Sequence, residues 1–593
     1  MMDADEDGSH IKGLIINFLN YFFPSLLKID GFLKILMTPI VKVFLKNYTK
    51  NFSNLRSYND WLTKNPGNYQ VKYYKGLGTS TAEESKEYFK NLQNNIIQII
   101  DENNEKSIQL AFAKDKVNER KNWLINYNPK NILQIEPPTT INIDKFINQE
   151  LIHFSNYDNL RSIPLLADGL KPSQRKVLYA CFKKKIKTEM KVSQLASYVA
   201  EVTSYHHGEQ SLVGTIINMA QDFVGSNNLN ILMPAGQMGT RLLGGKDHAS
   251  GRYIFTYLNK LTEKIFIKDD DELLDFIEDD GEKIEPLFYL PIVPMILING
   301  TEGIGTGFST LIPTYDLFDV INWYKNKLHG KSVNELKPKV NNFKGTIISY
   351  DETTYLSSGI CTIDKDKIII SELPIKLWTS VYKETLDEFI EEGIIKSYIN
   401  YSSDIDVHFE LKVSDMQYIN KLNETIDEKG LNSLYKLLKL YKTIKISNLT
   451  LYNSSLKLKT YNNVDEICNE FYKFRLPYFE KRKELLISKY NEEINYLTNQ
   501  INFINLVKSN PKIFNLEEDK IIDLIIKNKI RKHNNSFDYL INMSFKQLSV
   551  DNLNKLNNKI KELKTIKKEL ETKNGKELWL EDLNKLYSVN SSI

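Results

Sequence analysis

Apolar positions along the chain recur in two periods, and their alternation predicts a mixture of helices and strands. After a short acidic opening, IKGLIINFL reads as an apolar helix, and Phe32 to Val43 reads as a strand. Tyr69 to Thr81 reads as a strand running into a Gly-rich turn, followed by AEESKEYFKNL, which has the acidic start and spacing of a helix. Ile108 to Trp123 is amphipathic, and Asn126 to Asn142, rich in Asn and Pro, reads as a linker. Ile163 to Lys185 places a turn at Asp168-Gly169 and a helix opening near Pro172. Val192 to Ala200 reads as a further helix. Two helices joined by a tight turn fit a helix-turn-helix or winged-helix unit.

From Tyr315 to Tyr461 short strand-like runs alternate with helical patterns, giving a mixed α/β region without catalytic motifs. From Val464 onward the chain turns helical. Leu486, Tyr490, Ile494, Leu497, Ile501 and Ile504 keep three/four spacing, and Leu553, Leu556, Ile560, Leu563, Ile566 and Leu570 repeat it. Each run is either a coiled-coil seam or an ordinary buried helix face. Between them Ser509 to Lys546 has its own apolar helices. Together they suggest a long antiparallel stalk with a globular tip, a natural dimerisation device.

Length and composition narrow this picture a little. The 593 residues suggest about three or four domains at roughly 150 residues each. With 41% hydrophobic and 26% charged residues the chain is globular. A net charge of +3 does not by itself announce nucleic acid, so any basic surface is local. The three cysteines are scattered, which argues against a disulfide framework or a cysteine-rich zinc site and fits a reducing compartment. No apolar run is long enough to span a membrane, and no signal peptide is visible.

The candidate chemistry centres on Met238 to Tyr257, MGTRLLGGKDHASGRYIFTY. GGKDHASG reads as an exposed, mobile loop, and YIFTYL as a buried strand. Tyr253 therefore stands where loop meets strand. A tyrosine hydroxyl can be a covalent nucleophile, but a pKa of about 10 leaves it weak at neutral pH without an adjacent cation. Arg252 offers a fixed fork suited to a phosphate. The plainer reading is a core-edge tyrosine beside a surface arginine. Asp3, Asp5 and Asp7 alternate at the start, which suits a divalent cation such as Mg2+, a helix cap or a solvated acidic terminus. Lys75-Gly76-Leu77-Gly78-Thr79 could cradle a phosphate but lacks a Walker A ending. Lys171, Arg175 and Lys176 cluster at a helix start, where phosphates also meet free N–H groups; a solvated basic face is the alternative. In SYHHGEQSL the adjacent His206 and His207 suit contact with a phosphate or a leaving oxygen better than a shared metal. Ile304, between Gly303 and Gly305, is either a wedge between base pairs or a core plug.

Taken together, DADEDGSHIKGL, YYKGLGTST, ERKNWL, IPLLADGLKPSQRKVL, SYHHGEQSL, MGTRLLGGKDHASGRYIF, PMILINGTEGIGTG and the closing NGKELWLEDL resemble the cleavage core of type IIA DNA topoisomerases. The nearest branch is the eukaryotic and large-DNA-virus topoisomerase II. The resemblance implies a multidomain α/β and α fold: the C-terminal part of a Toprim domain (1–125), a winged-helix domain with the catalytic tyrosine (126–315), an α/β tower (316–462), and a coiled coil with a helical C-gate (463–593). It implies Tyr253 as the nucleophile that becomes a 5′-phosphotyrosine, with Arg252 stabilising the transition state. Asp3 and Asp5 would be Mg2+ ligands with Asp7 close by. Arg120, Lys121, Lys171, Arg175, Tyr205, His206, His207, Gln210 and Ser211 would face bent double-stranded DNA, and Ile304 would intercalate.

The same resemblance implies a homodimer in which tyrosine and metal come from opposite subunits, and an ATP-dependent enzyme in the nucleus or cytoplasm, or a viral factory, and not secreted. Three departures stand out. The ATPase region and the first half of Toprim, with its catalytic glutamate, are absent. The family's charged tail is absent as well. Gly251 stands where relatives often carry proline, which should loosen the loop. The missing part is expected on a longer chain or a separate subunit. The competing expectations are a non-catalytic DNA-binding and dimerisation scaffold and, more distantly, a winged-helix transcription regulator.

Overall fold

The computed structural model describes residues 5–590 apart from 37, 53–54, 75–76, 91, 103–104, 134–138 and 280. Asp3 and the Lys75-Gly76 end of the candidate phosphate loop lie outside the described residues. The chain forms two compact units, each discontinuous in sequence: residues 1–164, 301–312 and 448–461 in one, and 165–300, 313–447 and 462–593 in the other. Unit borders fall at 312/313 and 461/462, within three residues of the sequence borders at 315/316 and 462/463, and none falls at 125/126.

In the first unit, Ile96–Ile100 is the middle of a three-stranded sheet. It pairs antiparallel with Leu33–Leu36 and parallel with Thr139–Asn142. The last residues of the expected linker are thus a strand. The expected Phe32-to-Val43 strand is two strands in different sheets, because Pro39 supplies no ladder donor between them. Ile97 and Ile99 alternate inward to join Ile16, Ile108, Phe146 and Leu151 in the core. A second antiparallel sheet, Thr49–Phe52, Val41–Phe44 and Gln70–Tyr73, has its own core of Val41, Val43, Phe52 and Tyr58.

The helix Glu6–Phe22 has two apolar faces. One packs Gly13 against Leu151, where a Cβ would come within 3.1 Å. The other shows Ile11, Leu14, Ile15, Phe18 and Phe22, at i, i+3, i+4, i+7 and i+11, to solvent, each 39–59% exposed. The returning hairpin Thr301–Ile304/Ser309–Ile312 lies on the helix Ile152–Ser162. Only glycine fits that contact: a Cβ on Gly303 would sit 2.1 Å from the Ser162 carbonyl oxygen. This close approach brings residues 301–312 back to the first unit.

In the second unit, helices Pro172–Lys184, Val192–Val202 and Glu209–Ala220 accompany a small antiparallel sheet. Phe255–Leu258 is its middle strand, between Met190–Lys191 and Leu232–Ala235. The mixed region expected after Tyr315 contains a four-stranded sheet, Ile360–Asp364, Lys367–Glu372, Phe409–Val413 and Ile395–Asn400, over a core including Ile368, Leu386, Phe389 and Leu411. The 46-residue helix Val464–Ser509 begins with the Asn463 side chain accepting from Glu466 N, and acidic residues fill its first turn. Val550–Thr572 returns antiparallel to it, with Lys559 Nζ 2.5 Å from Glu493 and Lys483 Nζ donating to the Glu571 carbonyl at 3.1 Å. Leu497, Ile504, Leu563 and Leu570 of the expected stripes are buried, while Ile566 is 45% exposed. The tip between these helices packs on Ile513, Ile525, Ile530, Phe537 and Leu540. Among the described residues no helix is long and apolar enough to cross a membrane.

Candidate functional site

The stretch before Tyr253 is not the mobile loop its composition suggests. Gly239, at φ +97°, lets two backbone segments touch; a Cβ there would lie 2.5 Å from the Gly245 carbonyl oxygen. Gly245 N donates to Thr240 O at 2.8 Å. Asp247 closes the same turn by accepting from Thr240 N at 2.9 Å and Thr240 Oγ1 at 2.5 Å. Gln221, buried just past the end of the helix Glu209–Ala220, donates Nε2 to Met238 O at 2.9 Å and Gly245 O at 3.2 Å. Ala249 N reaches Gln237 O at 2.9 Å. Polar composition signalled a loop, but the same polar groups satisfy one another and hold it.

Gly251 likewise does not loosen the segment. It is buried, a Cβ would meet Val213 Cγ1 at 2.9 Å, and its carbonyl accepts from Ser193 N at 2.9 Å. On the other side of Tyr253, the Ile254 carbonyl accepts from Val192 N at 3.0 Å. Tyr253 thus rises between two backbone clamps on the start of one helix. Its side chain is 71% exposed, and the exposed Arg252 places its guanidinium 5.8 Å from the tyrosine ring centre. The result is an accessible hydroxyl on a rigid support with a permanent cation beside it. That arrangement can hold a phosphodiester and present an oxygen nucleophile to it.

In the same unit, His206, Gln210 and Ser211 are exposed and Tyr205 and His207 half-buried at the start of Glu209–Ala220. The rings of Tyr205 and His207 stand 5.3 Å apart, and those of His206 and His207 4.5 Å apart. Lys171 is half-buried at the start of its helix. Arg175 does not join this surface. It is buried, its guanidinium grips Asp168 at 2.6 and 3.0 Å, and it also donates to Leu170 O. Asp168 in turn accepts from Leu170 N and Tyr289 N, each at 3.0 Å. Lys176 is likewise engaged, with Thr203 O at 2.9 Å and Glu285 at 2.7 Å.

In the first unit, Ile304 is 80% exposed at the end of its hairpin, so it is not a core plug. Its turn is tied down: Asn159 Nδ2 donates to Thr306 O and Thr306 Oγ1 donates to Asp158, both at 3.0 Å. Asp158 pairs with Arg161 at 3.4 Å, and Arg161 with Asp7 at 3.0 Å. Burial alone would lower the Arg161 pKa, but its two carboxylate partners outweigh that and raise it. Lys121 is half-buried, 5.7 Å from the Phe308 ring centre. Arg120 turns inward, giving its guanidinium to the carbonyls of Leu110 at 2.9 Å and Ala113 at 2.6 Å, and burial lowers its pKa.

Asp5 caps the first helix, its Oδ1 accepting from Gly8 N at 2.7 Å. Among the described residues no group of three or more His, Cys, Asp or Glu could hold a metal. Asp5 and Asp7 supply hard oxygen donors, right in kind for a divalent cation. Each already engages one carboxylate oxygen, so together they offer fewer donors than the roughly six that Mg2+ demands.

Sequence reading missed Gln221, Thr240, Asp247, Asp158, Arg161 and Asp168. Only Asp168 carried a signal, an acid at a turn seven residues before the arginine it pairs with.

Residues 161–584 match the family of DNA gyrase/topoisomerase IV A-subunits, and residues 36–159 match the "C-terminal associated domain of TOPRIM". The chain is 41% identical over 603 residues to "DNA topoisomerase 2, mitochondrial" of Dictyostelium discoideum, covering 99% of this chain and 46% of that protein. It is 39% identical over 642 residues to "DNA topoisomerase 2-beta" of Mus musculus, covering 98% and 39%. The chain thus spans less than half the length of these curated relatives. The solved DNA-binding, cleavage and re-ligation domain of Plasmodium falciparum topoisomerase II superposes with a TM-score of 0.82 at 39% identity, covering 100% of this chain and 84% of that one.

Proposed function

Because the chain belongs to the type IIA DNA topoisomerase family, we propose that it is the core that cuts and reseals double-stranded DNA. The observation that carries this reading is Tyr253, exposed on a clamped backbone with Arg252 beside it. The tyrosine oxygen attacks a DNA phosphorus, forming a P–O bond to Tyr253 while the bond to the 3′ oxygen breaks. The phenolic proton leaves to solvent, and the departing 3′ oxygen takes one proton from solvent to become a hydroxyl. One phosphodiester is exchanged for another, so the reverse attack by the 3′ hydroxyl reseals the strand. Arg252 holds the non-bridging oxygens and offsets the charge that develops on them.

Asp3 and Asp5 would hold Mg2+ with Asp7 close by, and the remaining donors would come from outside the described residues. When bound, the metal supplies positive charge at the reacting phosphate. ATP belongs to the complete enzyme, at a site not in this chain. Lys121, Lys171, Tyr205, His206, His207, Gln210 and Ser211 form the duplex-facing set, on a winged-helix platform and its surroundings, and Ile304 wedges the base stack. Arg120 and Arg175 we assign to holding the fold. The chain works as a homodimer, each copy cutting one strand so that a second duplex passes through, and the helical stalk and its tip suit the C-gate that holds the copies together. The bare apolar face of Glu6–Phe22 supports a further partner layer, the ATPase/Toprim N-terminal region, on a longer chain or a separate subunit. The compartment that fits this work is the nucleus, the cytoplasm or a viral factory.

Denaturing trapping on duplex oligonucleotides labelled at one end or the other tests this. Covalent linkage should follow the 3′-end label, because the fragment downstream of the cut keeps its 5′ phosphate on Tyr253, and its retention in Tyr253→Phe would remove Tyr253 from its role. The sparse carboxylate set among the described residues favours a second reading, a non-catalytic DNA-binding scaffold. An adduct with the N-terminal region supplied would rule that out.

A further inference from the structure

The α/β segment 313–447 carries no catalytic motif, yet two of its side chains grip the loop that presents Tyr253. Glu372, fully buried at the end of strand Lys367–Glu372, accepts from Arg241 Nη2 at 2.5 Å. Its carboxylate also takes Leu373 N at 2.9 Å and Lys344 N at 3.2 Å. Arg241 is only 6% exposed. Trp378 lies flat against Gly244, where a Cβ would come within 2.4 Å of the indole nitrogen, and against Gly225, where it would come within 3.3 Å. The indole also meets Phe223 edge-on at 5.9 Å. Beside it, Ser380 N donates to Leu242 O at 3.1 Å. Residues 241–244 are therefore held from outside the loop by a buried ion pair, an aromatic plate and a backbone bond. The Thr240–Gly245–Asp247 closure and the Ala249–Gln237 bond carry that restraint to the segment leading into Tyr253.

We propose that Glu372 and Trp378 are positioning residues for Tyr253: a latch that fixes the far end of its loop, so that hydroxyl and Arg252 meet the phosphate together. A buried arginine–carboxylate pair contributes little net stability compared with apolar packing, because both charges lose their water. What this pair does contribute is a fixed geometry between chain segments 131 residues apart. Gly244, at φ +63°, leaves room for the indole that a Cβ would take, and Gly225, at φ +93°, adds a second position where a side chain would be strained and tight against it. Misplacing a reacting group by about 1 Å costs about a hundred-fold in rate. The inference rests on the reading of Tyr253 as nucleophile.

The test compares Glu372→Gln, Trp378→Phe and Trp378→Ala in the whole enzyme. Three quantities are read: the single-turnover rate of adduct formation on duplex oligonucleotide, DNA affinity, and hydrogen exchange at the Thr240, Gly245, Ala249 and Tyr253 amides. Trp378→Ala and Glu372→Gln should slow adduct formation by about ten- to a hundred-fold, leave DNA affinity within about two-fold, and speed exchange at those amides. Trp378→Phe should recover most of the rate. An unchanged rate in folded Glu372→Gln and Trp378→Ala overturns the latch, as does a rate loss matched by an equal loss of DNA affinity. The near-isosteric Glu372→Gln carries the test should Trp378→Ala fail to fold. Tyr253→Phe runs alongside: adduct in that variant sinks the nucleophile reading, while loop exchange still reports on the latch.

Discussion

Arg175 separates two accounts of one residue, since its place in the sequence suggested DNA contact and its place in the fold is a buried pair. Arg175→Ala removes a guanidinium that makes two hydrogen bonds to Asp168 and one to Leu170 O, all within the interior. Asp168 is 0% exposed and keeps only the Leu170 and Tyr289 amides. Breaking a buried pair in this way strands a charge and costs about 3–5 kcal/mol. Arg175→Lys keeps the charge but loses the fork, and should cost less than Arg175→Ala. Removing both partners in Arg175→Ala/Asp168→Ala should cost less than the sum of the single changes, because no lone charge is left behind. Urea unfolding followed by tryptophan fluorescence measures these terms. DNA binding by anisotropy across a salt series gives the second readout. A residue on a phosphate contributes about 0.9 to the slope of log affinity against log salt, and the slope of folded Arg175→Lys should match the parent. An Arg175→Ala protein with unchanged stability and a slope reduced by about one would refute the interior assignment.

Other consequences follow from the same geometry. Ile304→Ala should leave unfolding unchanged, because the side chain is 80% exposed, while reducing DNA bending measured by energy transfer between duplex ends; normal bending would contradict the wedge. Glu84 is held at a pKa of about 2: burial raises it, but Lys72, Tyr74 and the Thr81 amide outweigh that. Its stabilising contribution is therefore full above about pH 4.5 and lost as pH falls towards 2. Discounted for the solvent near this helix start, it amounts to about 1–2 kcal/mol; Glu84→Gln should lower stability at pH 7 and converge with the parent in acid. In the stalk tip, Ile525→Ala should cost about 2–5 kcal/mol by leaving a cavity in a fully buried position, read as local unfolding of the tip by hydrogen exchange.

The sequence exposed what periodicity and local chemistry encode. The stalk, its antiparallel return and its tip were legible from the spacing of Leu497, Ile504, Leu563 and Leu570, and the helices around Pro172 and Val192 from their start signals. Tyr253 and Arg252 stood out because a polar loop met an apolar strand. What the sequence hid depends on partners distant along the chain. Composition made residues 244–251 look mobile, since the groups that hold them and the residues leading into them, Gln221, Ser193, Glu372 and Trp378, lie elsewhere. Basic residues look alike in one dimension: Arg120 and Arg175 turned inward to carbonyls and a carboxylate, while Arg252 stayed outside. The return of residues 301–312 and 448–461 to the first unit rests on close contacts such as Gly303 on Ser162, which have no local signature.

The most direct test of the central claim is a trapping experiment on negatively supercoiled plasmid with Mg2+ and the N-terminal region supplied, stopped with detergent and digested with protease. Linear DNA from the parent and none from Tyr253→Phe is the predicted result. Linear DNA from both proteins would contradict Tyr253 as the nucleophile, and none from either would contradict the cleavage function itself.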